Sequence, residues 1–191
     1  MKKKRVGVLI SGRGSNMMAL IEASRAADYP AEIVFALSNR LDAGGIETAN
    51  KLGIATQIID HRKFATREEF DSAVNVSLQS KRLDLIACAG FMRIMTPVLI
   101  SPWEGRMINI HPSLLPLYKG LHTHERALAD GQKEGGCTVH FVTTALDDGP
   151  IIAQARVPIL PGDTPDVLAA RVLIEEHKLY PEALKTVASR L

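Results

Sequence analysis

The sequence predicts an α/β fold: a mostly parallel, twisted sheet with helices on both faces and an antiparallel hairpin in its C-terminal part. Three observations carry this. Short runs that are apolar at nearly every position (residues 6–10, 33–37 and 83–89) alternate with helix-length segments. Strands covered on both faces read this way, because neither face meets water. The first run passes through Ser11-Gly12-Arg13-Gly14-Ser15-Asn16 into a helix, a strand–turn–helix opening. In the second half of the chain, strands at 137–143 and 151–157 are joined by Leu146-Asp147-Asp148-Gly149-Pro150. That connection is too short for a crossover helix, so the two strands run antiparallel.

The elements follow in order. After the glycine turn, a helix is predicted from about residue 17 to 27, then a strand at 33–37 ended by Ser38-Asn39. A helix near 45–52 leads to a strand at 55–59, and another helix spans about 66–80. The buried strand 83–89 is followed by the loop Gly90-Phe91-Met92-Arg93. A short helix opens at Thr96-Pro97, where proline suits the first helical position. Residues 107–111 form a short strand, and the hairpin comes next. A long helix opens at Thr164-Pro165 and runs to about Tyr180, where Pro181 is expected to start a new turn or kink it. No repeat or long linker divides the chain, so residues 1–191 are expected to form one domain.

Composition narrows the function classes. Apolar residues make up 46% and charged residues 23%, values that support a packed core without disulfides or metals. A formal charge of +2 is too small for a general nucleic-acid or membrane binder, and no partner of either kind is expected. The basic run Lys2-Lys3-Lys4-Arg5 is expected to be a solvated flank. Cys88 and Cys137 form no pairing motif, which suits a reducing, cytoplasmic compartment. No apolar run approaches the ~20 residues of a membrane span, and no signal-peptide pattern opens the chain.

Two features carry chemistry. The glycine turn leaves backbone N–H groups free at a helix N-terminus, where an anion is stabilised. It does not match a dinucleotide fingerprint, because Met17 stands where a third small residue is needed and Ser38-Asn39 replace the ribose-binding acid. A Walker loop is absent too, which leaves a site for a single phosphate; the alternative is a turn required only by helix–sheet packing. Asn109 and His111, two apart at a strand end, share one face and lie ~6.5–7 Å apart along the strand. Their types suit an oxyanion and acid/base task at the carboxyl edge of an α/β sheet. A turn carboxylate follows in the hairpin, and the residues alone do not choose between Asp147 and Asp148. His111, His122 and His124 lack the spacing of a zinc set, so no metal is expected.

These segments resemble the folate-dependent glycinamide ribonucleotide formyltransferases of purine synthesis, a Rossmann-like formyltransferase fold. The resemblance rests on Leu9-Ile10-Ser11-Gly12-Arg13-Gly14-Ser15-Asn16, Ala89-Gly90-Phe91-Met92-Arg93-Ile94, Asn109-Ile110-His111-Pro112-Ser113-Leu114-Leu115-Pro116, Gly120-Leu121-His122-Thr123-His124, Thr138-Val139-His140-Phe141-Val142 and Leu146-Asp147-Asp148-Gly149-Pro150, in family order. It implies catalysis by Asn109, His111 and Asp147, which selects Asp147 over Asp148. It implies phosphate binding by Gly14, Ser15 and Asn16, and contact of Glu176 with the glycinamide portion of the ribonucleotide. It places the folate against Arg67, Met92, Arg93, Ile94, Met95 and Asn109, and under the loop Thr143, Thr144, Ala145, Leu146 and Asp147. The phosphate-binding half would be about 1–100, and the catalytic and folate-binding half about 101–191. 10-Formyltetrahydrofolate would be a co-substrate, with no tightly bound cofactor, and a homodimer is possible.

Two departures stand beside the matches: Lys119 where many relatives carry proline, and Asp148 where glycine is frequent. Other folate formyltransferases share the same trio. One acting on methionyl-tRNA is expected to carry a further nucleic-acid-binding domain, and a formyl-folate hydrolase an extra regulatory domain. Neither is expected within 191 residues.

Overall fold

A computed structural model describes residues 2–191. The strands are β1 (Lys4–Ile10), β2 (Ala31–Ser38), β3 (Ala55–Ile58), β4 (Leu85–Cys88), β5 (Met107–His111), β6 (Glu134–Phe141) and β7 (Ile151–Pro158). The helices are α1 (Ser15–Ser24), α2 (Gly44–Lys51), α3 (Arg67–Ser80), α4 (Pro97–Ile100), α5 (Thr123–Ala129) and α6 (Pro165–Ala188). One sheet takes the order β3-β2-β1-β4-β5-β6-β7. Strands β1 to β5 pair in parallel, and β6 runs antiparallel to both β5 and β7. The expected architecture is present, hairpin included.

Alternation along the strands sorts the core into two layers. Val6, Val8 and Ile10 of β1 pack with Leu20 of α1, Ile46 of α2, and Leu168, Val172 and Leu184 of α6. Leu9 joins Phe35, Leu37, Phe70, Val74, Leu78 and Leu99 on the opposite face, beneath α3 and α4. A side-chain period of two explains why adjacent residues of one strand serve different layers. On β5, Ile108 and Ile110 face the α6 layer. Met107 faces the other layer, so Asn109 and His111 share its face by the same alternation.

Two expectations are corrected. The basic run is not a solvated flank: Lys3 Nζ donates to Ser24 O at 2.8 Å and Ala26 O at 2.6 Å, at the end of α1. Arg5 donates to Lys81 O and Arg82 O just beyond α3. Cations there satisfy the last carbonyls and complement the helix dipole. The last helix does not stop near Tyr180, since α6 continues through Pro181 to Ala188 and no new turn starts there. Proline costs one internal bond, but Leu168, Val172, Tyr180, Ala183, Leu184 and Val187 bury the helix on both sides of it. The Pro181 carbonyl also accepts the Tyr29 hydroxyl at 2.6 Å. Helix α5 carries a weak apolar pattern and falls in a stretch without a sequence assignment.

Tyr180 ties α6 to the strands that carry the site. It is fully buried, and its hydroxyl donates to Cys88 O at 2.8 Å and lies 3.3 Å from Ile108 O. Burial raises its pKa well above the ordinary value, so it stays a donor. Tyr180→Phe should lower unfolding free energy by about 1–3 kcal/mol, the cost of leaving buried carbonyls without a donor. Urea unfolding measures it, and an unchanged midpoint would remove this tie.

Candidate active site

The carboxyl ends of β1, β4 and β5 lie side by side, where the strand order reverses between β1 and β4. Open α/β sheets bind ligands at such a point. Ser11, the first residue past β1, joins the segments there. Its N–H donates to Gly90 O at 3.0 Å. Its hydroxyl lies 2.5 Å from Asn39 Oδ1 and accepts the Met92 N–H at 2.7 Å. Asn39, expected only to end a strand, is buried and in turn contacts His61.

The glycine turn packs tightly. Gly14 has φ 74°, and a Cβ there would lie 3.2 Å from Gly45 Cα and 3.0 Å from the Met17 methyl. Both the left-handed backbone and the approach of α2 therefore call for glycine. No side chain caps α1, whose first helical bond runs from Met18 N–H to Gly14 O. The N–H groups of Ser15, Asn16 and Met17 precede that bond and remain available to an anion. Glu176 closes the far side. It is buried, and its Oε2 accepts from Asn16 Nδ2 at 2.6 Å. Burial raises its carboxyl pKa, and the Asn16 bond opposes that. Glu175 pairs with Lys178. The structure thus brings Gly14, Ser15, Asn16 and Glu176 together.

Asn109, His111 and Asp147 also converge. His111 is buried, with Nε2 at 2.9 Å from the Tyr118 carbonyl oxygen and Nδ1 at 3.4 Å from Asp147 Oδ2. A carbonyl only accepts, so Nε2 carries a proton; a second proton on Nδ1 would face the carboxylate. Asp147 sits at φ 48° and accepts the Gly120 N–H at 2.9 Å. The loop 118–120 therefore holds both groups by its backbone. Asp148 points away and pairs with Lys119, so the two departures from the family pattern meet each other.

Residue His140, without an assigned role in the sequence, completes the cluster. It stands opposite Asn109 in the β5–β6 register. Its Nε2 lies 3.2 Å from Asn109 Nδ2 and 3.7 Å from Asp147 Oδ1. The signal was present, since Thr138 and His140 repeat on an apolar strand the i, i+2 pattern of Asn109 and His111. Thr138 bonds Ser113 O, Leu115 N and Gln154, anchoring the loop after β5.

An open cleft with about 550 Å³ of empty space adjoins the trio. Among the expected folate residues, Arg93, Ile94, Met95, Asn109, Thr143, Thr144, Ala145, Leu146 and Asp147 line it. Met92 and Arg67 do not: Met92 is exposed, and Arg67 opens α3 on the surface. Met92 lies in the 91–95 segment of the cleft wall but turns its side chain to solvent. Ile94 and Leu146 expose more than half of their surface at its rim. The guanidinium of Arg93 lies over the Phe70 ring at 5.6 Å, with its Nε buried and without a partner. His122 pairs with Glu125 on the surface. Among the described residues, no group of three or more His, Cys, Asp or Glu side chains is arranged to hold a metal ion.

The sequence pattern of the formyl transferase family matches residues 4–184. The chain is 46% identical over 174 residues to the phosphoribosylglycinamide formyltransferase of Escherichia coli (strain K12), covering 91% of this chain and 82% of that protein. It is 47% identical to the human trifunctional purine biosynthetic protein adenosine-3 over 98% of this chain, but spans only 19% of that protein. The crystal structure of the Brucella melitensis phosphoribosylglycinamide formyltransferase superposes with a TM-score of 0.93 at 53% identity, covering 98% of this chain and 96% of that one. With the family pattern matched over residues 4–184 and a relative's structure superposed over 98% of its length, the chain belongs to the formyl transferase family.

Proposed function

We propose that the chain transfers the formyl group of 10-formyltetrahydrofolate to the amine of glycinamide ribonucleotide, giving formylglycinamide ribonucleotide and tetrahydrofolate, in de novo purine biosynthesis. One observation carries the reading: Asn109, His111 and Asp147 converge at one end of an open cleft, at the edge of the sheet that also bears an anion-ready turn. The 42% identity to the Haemophilus influenzae phosphoribosylglycinamide formyltransferase, over 86% of that protein, favours this acceptor over other amines. A radiolabel or absorbance assay with formyl-folate and glycinamide ribonucleotide tests it directly, and absence of turnover would overturn it.

The residues divide the work. Gly14, Ser15 and Asn16 hold the phosphate with N–H groups at the α1 terminus. Glu176 accepts hydrogen bonds from the glycinamide portion. Arg93, Ile94, Met95 and the loop from Thr143 to Asp147 wall the folate, with Arg67 and Met92 reaching it from outside the cleft lining. The exposed apolar rim suits an aromatic ring system. No tightly bound cofactor is required, since the folate is consumed.

Asn109 donates to the oxyanion that develops as the amine adds to the formyl carbon, and His111 joins it by sharing the Nε2–H that it gives to the Tyr118 carbonyl. Asp147 faces His111 Nδ1 at 3.4 Å and orients the ring. It also orders a water that carries the proton from the amine to the departing folate nitrogen. Holding both substrates in register supplies much of the remaining acceleration. We take residues 1–191 as one catalytic unit, working in the cytoplasm on small molecules, without nucleic acid or membrane, as a homodimer. Among the described residues, no helix is long and apolar enough to cross a membrane. Sedimentation at micromolar concentration should give twice the 20.8 kDa chain mass; a monomer would remove the dimer.

Replacing Asn109 or His111 with Ala should lower kcat and kcat/KM together by ~10²–10³, with KM little changed. Asp147→Asn keeps the shape and removes the charge, so its pH–rate profile should move as well as fall. Asp148→Asn loses only an exposed pair and should stay within about threefold of the parent. A crippled Asp148→Asn beside an active Asp147→Asn would assign the relay to the wrong carboxylate.

At the other end of the site, Gly14→Val should weaken the ribonucleotide far more than the folate, as read by calorimetry. Glu176→Gln should follow the same pattern, and Glu175→Gln should change neither affinity. Equal losses for both ligands would detach the phosphate from this turn.

A further inference from the structure

Asn109 can act on an oxyanion only if its amide presents N–H, not C=O, to the reacting atoms. The amide is nearly symmetric in shape, so a neighbour must choose between its two orientations. That neighbour is His140, held opposite Asn109 by the β5–β6 register. Beside His140 the β6–β7 pairing passes from Val139↔Ala153 to His140↔Ile151, so β7 carries one extra residue, Ile152, where it faces His140.

The histidine ring is itself oriented from the backbone. His140 Nδ1 lies 2.9 Å from the Phe141 carbonyl oxygen. A carbonyl only accepts, so Nδ1 bears the ring proton, and in the neutral ring Nε2 is then a bare acceptor. Asn109 Nδ2 donates to it at 3.2 Å. Gly149 leaves room for the Phe141 carbonyl, since a Cβ there would collide with that oxygen. The chain of control runs from Gly149 through the Phe141 carbonyl and the His140 ring to the Asn109 amide.

We propose that His140 is a positioning residue, whose bare Nε2 fixes the Asn109 amide with its N–H aimed for the oxyanion. Two charged or titratable groups face the ring. Asp147, in the β6–β7 turn, favours a proton on Nε2, and His111, on β5, opposes one. Asp147 is the more distant partner at 3.7 Å, and its other oxygen already accepts the Gly120 N–H. Burial is the largest influence and lowers the His140 pKa, so the ring is neutral near pH 7. Below that depressed value Nε2 gains a proton, which turns the amide oxygen toward the ring and withdraws the donor. The positioning is therefore present above the lowered pKa of the folded ring and is lost as the pH falls through it.

The proposal rests on Asn109 as an oxyanion donor, and the tests separate the two. Long-range proton–nitrogen NMR on the full chain near pH 7 should find the His140 proton on Nδ1 and none on Nε2. A proton on Nε2 would overturn the proposal even if Asn109→Ala is inactive. An active Asn109→Ala would instead sink the oxyanion reading. His140→Phe keeps the bulk of the ring without an acceptor. It should lower kcat about tenfold, the equivalent of one net hydrogen bond, with KM for both substrates unchanged. His140→Gln can place an oxygen where Nε2 lies and should recover most of that loss. Full kcat in His140→Phe, or equal losses in the two variants, would assign His140 a packing role only. The NMR result decides the proposal if a variant fails to fold.

Discussion

The acceptance of the Gly120 N–H by the Asp147 carboxylate is the contact on which the site depends. Asp147 reaches it from a left-handed backbone at φ 48°. That conformation costs a non-glycine residue about 1–3 kcal/mol and persists only where the surroundings over-determine it. Here the surroundings are two loops that meet at one carboxylate. One follows β5 and brings the Tyr118 carbonyl to His111. The other joins β6 to β7 and brings Asp147 itself.

Neither loop is free to drift. Thr138 holds the Ser113–Leu115 stretch of the first loop from inside the sheet. Arg126 of α5 donates to Lys119 O and stacks over the Tyr118 ring. Lys119 and Asp148 add an exposed ion pair between the loops, worth little by itself in water. In the second loop, Gly149 lets the chain pass against the Phe141 carbonyl, where any side chain would collide. The strained aspartate is thus pinned by backbone and core contacts more than by surface charge.

The reversal of strand direction at β6 has a chemical consequence. Because β6 is antiparallel, it leaves the sheet beside Met107, at the start of β5, and the turn that follows must fold back to reach the site edge. Running antiparallel, β6 sets Thr138 beside His111 and His140 beside Asn109, and its exit turn swings Asp147 back over the pair. The glycine turn sits two strands away, at the end of β1. A substrate with a phosphate at one end and an amine at the other can span that edge, with Glu176 held beside the turn by Asn16.

Much of this was written locally. Runs apolar at every residue forced strands buried on both faces, and Gly14 with free N–H groups forced an anion-ready turn. Asn109 and His111 fell on one face because strand side chains repeat every two residues. Signals of this sort act within a few residues of the chain and survive without a fold. The course of α6 through Pro181 was not legible, because the local cost of proline was offset by burial against distant strands. The capping roles of Lys3 and Arg5 depend on helix ends 21 and 76 residues away. The choice between Asp147 and Asp148 came from family likeness, since a turn sequence does not say which carboxylate points inward. Only the tertiary structure decided that Asp147 meets Gly120 and His111 while Asp148 meets Lys119, and that His140 faces Asn109. Those contacts join segments remote in sequence, and their partners are chosen by strand register and loop path, which no local pattern encodes.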